Sequence, residues 1–163
     1  LLGYSLVGLL KIYNLKNFNI DYELILQRMK NAGDNLINIY LNKENYSYYP
    51  KLGLSSFIDQ KWNPLTNWSC VTGNTQIEYF LRLLYSITMS EKYLKVADSL
   101  LEETKKIHVI DDFEVDRNLL GGLFGSYPIE SEYCPFQMPN WGVKFFADSL
   151  MQQIDLFNNE LLG

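Results

Sequence analysis

The sequence predicts an all-α protein built from repeated antiparallel helical hairpins, and three observations lead to that prediction. Apolar residues recur at steps of three and four along five segments, which is the spacing of a buried helical face. No segment alternates apolar and polar residues convincingly, so strands are expected to be absent or minor. The chain also resembles itself after a shift of about seventy residues, and such a period is typical of stacked helical hairpins.

Two short stretches carry the internal repeat. Residues 9–15 align with 81–87, and 67–70 align with 140–143. The length favours a single domain. We therefore predict one domain, 1–163, with repeat units of about 1–66, 67–139 and 140–163.

The first two helices form the first predicted hairpin. The first helix spans about 3–14, and its apolar stripe consists of Leu6, Leu9, Leu10 and Tyr13. The second is capped by Asn19 or Asp21, because a side-chain oxygen there can accept a hydrogen bond from the first turn. It continues to about Leu41, and its apolar stripe consists of Tyr22, Ile25, Met29, Ala32, Leu36 and Ile39.

A second hairpin and one further helix follow. The third helix begins between Asn67 and Gly73, with the stripe Ile77, Phe80, Leu81, Leu84 and Ile87. The fourth is capped by Ser90 and directs inward Tyr93, Val96, Ala97, Leu100, Leu101 and Ile107. The fifth opens at Asn140, behind Pro139, and repeats the spacing at Val143, Phe146, Ala147, Leu150, Ile154 and Phe157.

Two long loops lie at corresponding positions of the repeat. The first, 43–66, contains Pro50 and Pro64, and the second, 108–139, contains Gly121. Because proline and glycine interrupt helices, both stretches are predicted to be ordered loops. Long loops on a rigid helical scaffold often carry binding groups.

Composition excludes several classes of partner. A hydrophobic content of 47% over 163 residues is sufficient to form a core. The net charge of −5, without a basic face, argues against nucleic acid as a partner. No apolar run reaches the roughly eighteen residues that a membrane span needs. We therefore expect no membrane span and a cytoplasmic location.

The N-terminal residues have the character of an internal segment, so we expect the chain to be part of a longer protein. They have neither an initiating Met nor the cationic segment of a signal peptide. The Trp of the first repeat unit would fall a few positions before Leu1. We therefore expect the remainder of the parent chain to be a partner of this segment. Cys70 and Cys134 lack C-x-x-C spacing and are expected to be buried free thiols rather than a bridge.

Several motifs resemble proteins of the (α/α) toroid type. They are TGNTQ at 72–76, LRLLY at 81–85, KYLKVA at 92–97, GGLFGSYPI at 121–129 and PNWGVKFF at 139–146. The likeness covers about 62–150. The pattern looks most like a bacterial group of six-hairpin or terpenoid-cyclase-like toroid proteins associated with surface polysaccharide and glycan metabolism. It implies that the chain is the C-terminal part of such a toroid.

This resemblance implies a lineage rather than a reaction. The same toroid hosts glycoside hydrolases, polysaccharide lyases, sugar epimerases, terpene cyclases and prenyltransferases. The chain contains no catalytic motif of those enzymes whose role could be transferred residue by residue.

Two rows of polar residues mark the faces of the third and fifth helices that would line a toroid cavity. The rows, at i, i+4 and i+8, are Asn74, Glu78 and Arg82, and Lys144, Asp148 and Gln152. The simpler interpretation is a solvated helix face with ion pairs. The alternative places the first two residues of each row at the cavity mouth, with Asn74 and Lys144 binding substrate. Glu78 and Asp148 would then serve as acid and base, because glycoside hydrolysis needs two carboxyl groups.

Aromatic residues supply candidates for sugar stacking. Trp68 and Trp141 occupy the same repeat position, each following an Asn at the start of a helix. A repeated Trp usually fills equivalent holes between hairpins. The alternative is a stacking platform for a sugar ring whose hydroxyls bind Asn67, Asn140 or Glu130. Further candidates in the second loop are Tyr127 and Tyr133.

Three other chemistries are rejected. The acidic run at 111–116 lies on a connection between helices, which favours a solvated turn or a chance Ca²⁺ site over a diphosphate-binding motif. His108, Cys70 and Cys134 lack the paired spacing of a zinc site, so no metal or cofactor is expected. The GGLFG stretch lacks the G-K-[ST] ending of a phosphate loop.

The sequence therefore predicts a protein that recognises or processes a carbohydrate in bacterial surface glycan metabolism, with catalysis left open. Two alternatives remain, a non-catalytic helical scaffold for protein interaction and a terpenoid or prenyl-type toroid enzyme. A polar, acid-lined cavity would favour the carbohydrate. A sealed mouth with buried tryptophans would favour the scaffold, and an apolar cavity would favour terpenoids.

Overall fold

Five helices make up most of the part of the chain that the structure describes. The computed structural model describes residues 2–17, 19–110 and 116–162, with side chains described as far as Asn158. The helices are α1 (Leu2–Leu15), α2 (Tyr22–Leu41), α3 (Val71–Thr88), α4 (Glu91–Lys105) and α5 (Asn140–Leu162). Two-residue strands, β1 (Ser69–Cys70) and β2 (Ser126–Tyr127), and 3₁₀ turns at Lys43–Asn45 and Arg117–Leu119 complete the elements. The prediction of a helical protein with minor strands is confirmed.

Local sequence signals explain where the helices begin and end. The Oδ1 of Asp21 accepts a hydrogen bond of 2.9 Å from the N–H of Leu24, so of the two predicted caps of α2, Asn19 and Asp21, the second is the cap. α3 ends at Thr88, and the left-handed Met89 caps it by donating its N–H to the Tyr85 carbonyl oxygen at 2.7 Å. Ser90 precedes α4 as predicted, although its side chain makes no capping hydrogen bond within the described residues.

The helices form two layers. α3 packs against α1 and α5 in one layer, and against α4 in the other. α2 packs on α1 and α4, so α2 and α4 form the second layer. Only two residues join α3 to α4, which makes them a helical hairpin. The repetition of such hairpins along the chain and their closure into a toroid stay predictions.

The core lies between the two layers. Its fully buried side chains include Leu10, Met29, Leu36, Phe80, Leu84 and Tyr93. Gly33 lets α2 approach this core closely, because a Cβ there would lie 2.8 Å from Cδ2 of Leu84 and 3.0 Å from Cε1 of Tyr93. Most apolar stripes predicted from the periodicity therefore face this interface, as expected from their helical spacing.

The predicted apolar stripe of α5 is only partly buried, since Val143 and Leu150 are half-buried and Ala147 is exposed. Phe146 is buried, whereas Ile154 and Phe157 are more than half exposed. α3 is the main helical neighbour of α5 in the described residues, so no second described helix packs on the other side of the stripe. None of the described helices combines the length and apolar character needed to cross a bilayer.

Candidate functional site

The first long loop is fastened to α4 by the carboxylate of Glu103. Its Oε1 accepts hydrogen bonds from the Tyr40 hydroxyl at 2.9 Å and the Lys43 ammonium at 3.4 Å. Its Oε2 accepts a hydrogen bond from the N–H of Gly53 at 2.6 Å. Burial, with the negative charge of Glu103 as the next cause, raises the pKa of the nearby Tyr49 phenol well above its ordinary value.

The same loop packs closely against the first turn of α3. The N–H of Leu54 donates a hydrogen bond of 3.0 Å to Oδ1 of Asn74. Gly53 has a positive φ of 72°, and a Cβ there would lie 1.9 Å from Nδ2 of Asn74. A glycine is therefore required for the loop to reach the helix at this distance.

The second long loop meets the first at the start of α3. β1 and β2 pair in antiparallel register, with Ser69 opposite Tyr127. Beyond the strands, the N–H of Val71 donates a hydrogen bond of 2.9 Å to the Gly125 carbonyl oxygen. These backbone bonds hold the second loop to the segment that leads from the first loop into α3, at the N-terminal end of that helix.

Two cavities flank this junction. The inter-loop cavity has a volume of about 440 Å³ and is lined by Tyr49, Lys51, Asn67, Tyr127, Pro128, Ile129 and Glu130. The helix-end cavity has a volume of about 370 Å³, and its polar or sulfur-bearing lining residues are Ser55, Ser56, Cys70, Asn74 and Tyr133. Asn67 lines the first cavity and its neighbour Trp68 lines the second. The junction therefore divides the predicted site into two.

The predicted substrate-binding residues are distributed between the two cavities. Tyr127 and Glu130 line the inter-loop cavity. Trp68, Asn74 and Tyr133 line the helix-end cavity. Three predicted residues, Asn140, Trp141 and Lys144, are exposed and belong to the lining of neither cavity.

The two repeated tryptophans lie in different surroundings. Trp68 is 8% exposed and packs edge-on against Phe57, with 5.9 Å between ring centroids. Trp141 is 50% exposed, and its Nε1 donates a hydrogen bond of 2.7 Å to the Tyr133 hydroxyl. The expectation of equivalent positions is wrong, because Trp68 precedes α3 under the first loop while Trp141 lies inside α5.

Glu78 does not lie at a cavity mouth, contrary to the expectation from the polar row. Its side chain is 1% exposed, and its Oε1 lies 2.7 Å from Nη2 of Arg82, which is equally buried. The same guanidinium lies 2.8 Å from Asp98 on α4. Burial raises the pKa of the Glu78 carboxyl, and the positive charge of Arg82 opposes that effect. This side chain is a structural member of the α3–α4 interface.

Asp148 does not contact Glu78 and instead forms an ion pair on the exposed side of α5. Its carboxylate pairs with the ammonium of Lys144, four residues away on α5. Burial and the charge of Asp148 together raise the pKa of Tyr79. The charges acting on Glu78 are those of Arg82 and Asp98. The geometry therefore gives no support to Glu78 and Asp148 as a shared acid and base pair.

The described residues offer no cluster of ligating side chains arranged for a metal ion. Of the acidic run 111–116, residues 111–115 lie outside the described residues. His108 packs edge-on against Phe146, 4.9 Å between centroids. Cys70 and Cys134 are both free, as predicted, but half-buried rather than buried, and burial raises the pKa of the Cys70 thiol.

The sequence interpretation missed Tyr49, Lys51 and Glu103. Tyr49 and Lys51 lie in the first long loop, whose position in the repeat corresponds to that of the second. That correspondence was the available signal that both loops contribute to one site. Glu103 carries no signal in sequence, because a carboxylate on an amphipathic helix is ordinarily solvated.

Comparison of the chain with models of known protein families, with curated proteins and with solved structures finds no match.

Proposed function

We propose that this protein recognises a carbohydrate in the inter-loop cavity. One observation carries the proposal: Asn67, Tyr127 and Glu130, chosen from sequence as sugar-binding groups, line a common cavity with Tyr49 and Lys51. The cavity brings side chains from both long loops together, and each loop is fastened to the helices by hydrogen bonds. A rigid scaffold with converging loop groups is a common design of binding sites.

The chemistry of the lining suits a sugar ring. Tyrosines present flat apolar surface together with a polar tip, which matches the C–H face and the hydroxyls of a pyranose. Lys51, Asn67 and Glu130 supply donors and acceptors for those hydroxyls. The volume of about 440 Å³ lies within the range of small-molecule sites.

Recognition is proposed here in preference to hydrolysis. Hydrolysis of a glycosidic bond needs two carboxyl groups at the site. Among the described residues that line the inter-loop cavity, Glu130 provides the one carboxyl group. Glu78 and Asp148 are each paired with a cation on their own helix. The sequence motifs that resemble toroid proteins support a bacterial surface glycan as the class of ligand.

Glycan-array binding followed by isothermal titration tests this proposal. Glu130→Gln and Lys51→Ala each alter an exposed residue that lines the cavity, so folding should be retained. Matched controls are Glu132→Gln and Lys61→Ala, which alter exposed residues of the same loops outside the cavity lining.

We expect the two cavity variants to weaken glycan binding by about tenfold or more, since each removes a charged hydrogen-bonding group. The two controls should bind as the native protein does. Absence of binding to any glycan, or equal losses in cavity variants and controls, would defeat the proposal.

A further inference from the structure

The incompletely covered stripe of α5 has the spacing of a coiled-coil seam. Its residues recur at alternating steps of four and three, which are the steps between positions a and d of a heptad: Val143, Ala147, Leu150, Ile154 and Phe157. Three of these side chains are exposed, and the other two, Val143 and Leu150, are half-buried. We call the five residues the α5 seam. Positions a and d of a heptad are normally covered by the side chains of a second helix.

No second helix of the described structure covers this seam. α3 packs on a different face of α5, where the Ser149 hydroxyl donates a hydrogen bond of 3.3 Å to the Thr75 carbonyl oxygen. Val143 and Leu150 owe their partial burial to a small cluster around Leu123 of the second loop. None of the seam residues belongs to the described lining of either cavity. The seam is therefore a separate surface, and an inference about it does not depend on carbohydrate recognition.

The sizes of the seam residues suit a second copy of the same helix that runs in the opposite direction. A two-fold axis at Leu150 would place Val143 of one copy opposite Phe157 of the other. The same axis would place Ala147 opposite Ile154. Each level then joins a small side chain to a large one, which keeps the packed volume even along the interface. In a parallel pair, Ala147 would face Ala147 and leave a void, and Phe157 would face Phe157 and crowd it.

The charges beside the seam show the same two-fold complementarity. Lys144 directly follows Val143, and Asp155 directly follows Ile154, so both charges lie on one flank of the seam. Both side chains are exposed. The two-fold axis brings Lys144 of each copy to the level of Asp155 of the other, so opposite charges meet twice. Lys144 also pairs with Asp148 of its own helix, and an ammonium with three donors can bind both carboxylates.

We propose that the α5 seam is the interface of a homodimer, in which α5 of one copy packs antiparallel on α5 of a second copy about a two-fold axis near Leu150. Each copy contributes the same surface, as a two-fold interface requires. α5 contains 23 residues, and its seam spans only two heptads, so the interface is small. We therefore expect a reversible dimer with a dissociation constant on the order of 10 μM.

Sedimentation equilibrium of the full chain tests this proposal, over roughly 1–300 μM so that the range brackets the expected constant. Ile154→Glu places a charge in the seam at an exposed helical position, so the fold should be retained. It should weaken the dimer by about tenfold or more, because the charge enters the interface from both copies. The matched control is Leu24→Glu, which alters an exposed apolar residue of α2 and should leave the dimer unchanged. Circular dichroism checks that both variants fold.

An exchange of charges tests the antiparallel direction. Asp155→Lys sets a cation against Lys144 of the other copy and should weaken the dimer by about threefold or more. The double variant Lys144→Glu with Asp155→Lys restores opposite charges across the two-fold axis, so it should dimerise more tightly than Asp155→Lys alone. In a parallel dimer each residue would face its own kind, and the second substitution would recover nothing.

Three results would overturn the proposal. A native chain that stays monomeric at every concentration would assign the seam to a different partner. Dimerisation of Ile154→Glu as tight as that of the native protein, or an equal loss in Leu24→Glu, would place the contact between copies elsewhere. Failure of the double charge variant to recover affinity would exclude the antiparallel arrangement.

Discussion

Arg82 on α3 lies 2.7 Å from the Glu78 carboxylate of the same helix, and both side chains are 1% exposed. The guanidinium also reaches Asp98 on α4 at 2.8 Å, where the carboxylate is partly exposed. This chain of three charges crosses the interface between the two layers. Because a buried charge is tolerated only when it is paired, the buried Glu78 carboxylate and Arg82 guanidinium depend on each other.

Replacing Arg82 by Met should destabilise the protein strongly. The substitution retains an apolar chain of similar length but leaves the Glu78 carboxylate buried without a cation. We expect the free energy of unfolding in urea at neutral pH to fall by about 3–5 kcal/mol. Arg28→Met, on the exposed face of α2, should change it by less than about 0.5 kcal/mol. Similar losses for the two variants would show that the buried ion pair has no special role.

The Glu78→Gln variant should differ from the native protein in its pH dependence. Burial raises the pKa of Glu78, so the folded protein holds this proton more tightly than the unfolded chain. The stability contributed by that proton is present at acidic pH and is lost as pH rises from the ordinary carboxyl range through the raised pKa.

Glutamine has no such proton. The free energy of unfolding of the native protein minus that of Glu78→Gln should therefore decrease as pH is raised from about 4 to about 8. Urea denaturation at several pH values measures this difference. A difference that increases with pH would mean that Arg82 outweighs burial and lowers the pKa.

Glu103→Ala should loosen the first long loop. The substitution removes the acceptor of the Tyr40 hydroxyl and of the Gly53 N–H. We expect a loss of about 2–3 kcal/mol in the free energy of unfolding and faster proteolysis between residues 43 and 66. The neighbouring control is Glu102→Ala, which removes an exposed carboxylate paired with Lys105 and should change stability by less than about 1 kcal/mol. Equal cleavage rates in both variants would contradict the anchoring role.

Helix positions could be predicted because their signals are local. The periodic apolar residues and the cap act within one or two turns. The observed bounds of α1 lie within one residue of the predicted ones, and α2 begins after Asp21, one of the two predicted caps, and ends at the predicted Leu41. The spacing also predicts which face is buried. Consequently α2 and α4 bury most of the side chains expected of them, such as Met29 and Leu100, whereas Ile107 lies beyond the end of α4 and is half-buried.

The site could be predicted only in part, because its geometry depends on contacts distant in sequence. A polar row at i, i+4 and i+8 fits a solvated face and a buried ion pair equally well. Glu78 and Arg82 neutralise each other, so their row is buried although it contains charges. Likewise, the repeat predicts equivalent positions for Trp68 and Trp141 but cannot say whether a loop covers each of them.

Gly53→Ala should destabilise the junction between the first loop and α3 more than Gly121→Ala affects the second loop. Both glycines have positive φ, 72° and 79°, so each substitution places a Cβ in a strained left-handed backbone. At Gly121 nothing in the described part of the chain lies within 4 Å of the new Cβ, and backbone strain of about 1–2 kcal/mol is expected.

At Gly53 the new Cβ would also overlap the Asn74 amide, 1.9 Å away, and would displace the backbone that bonds to Glu103. We therefore expect a total loss of about 3 kcal/mol or more in the free energy of unfolding, measured by urea denaturation. Both variants have the backbone strain, so the difference between their losses in free energy of unfolding measures the effect of the close approach between loop and helix. If both variants lose the same stability, the first loop does not press on Asn74, and the wall that Asn74 and Leu54 give to the helix-end cavity is not formed as described.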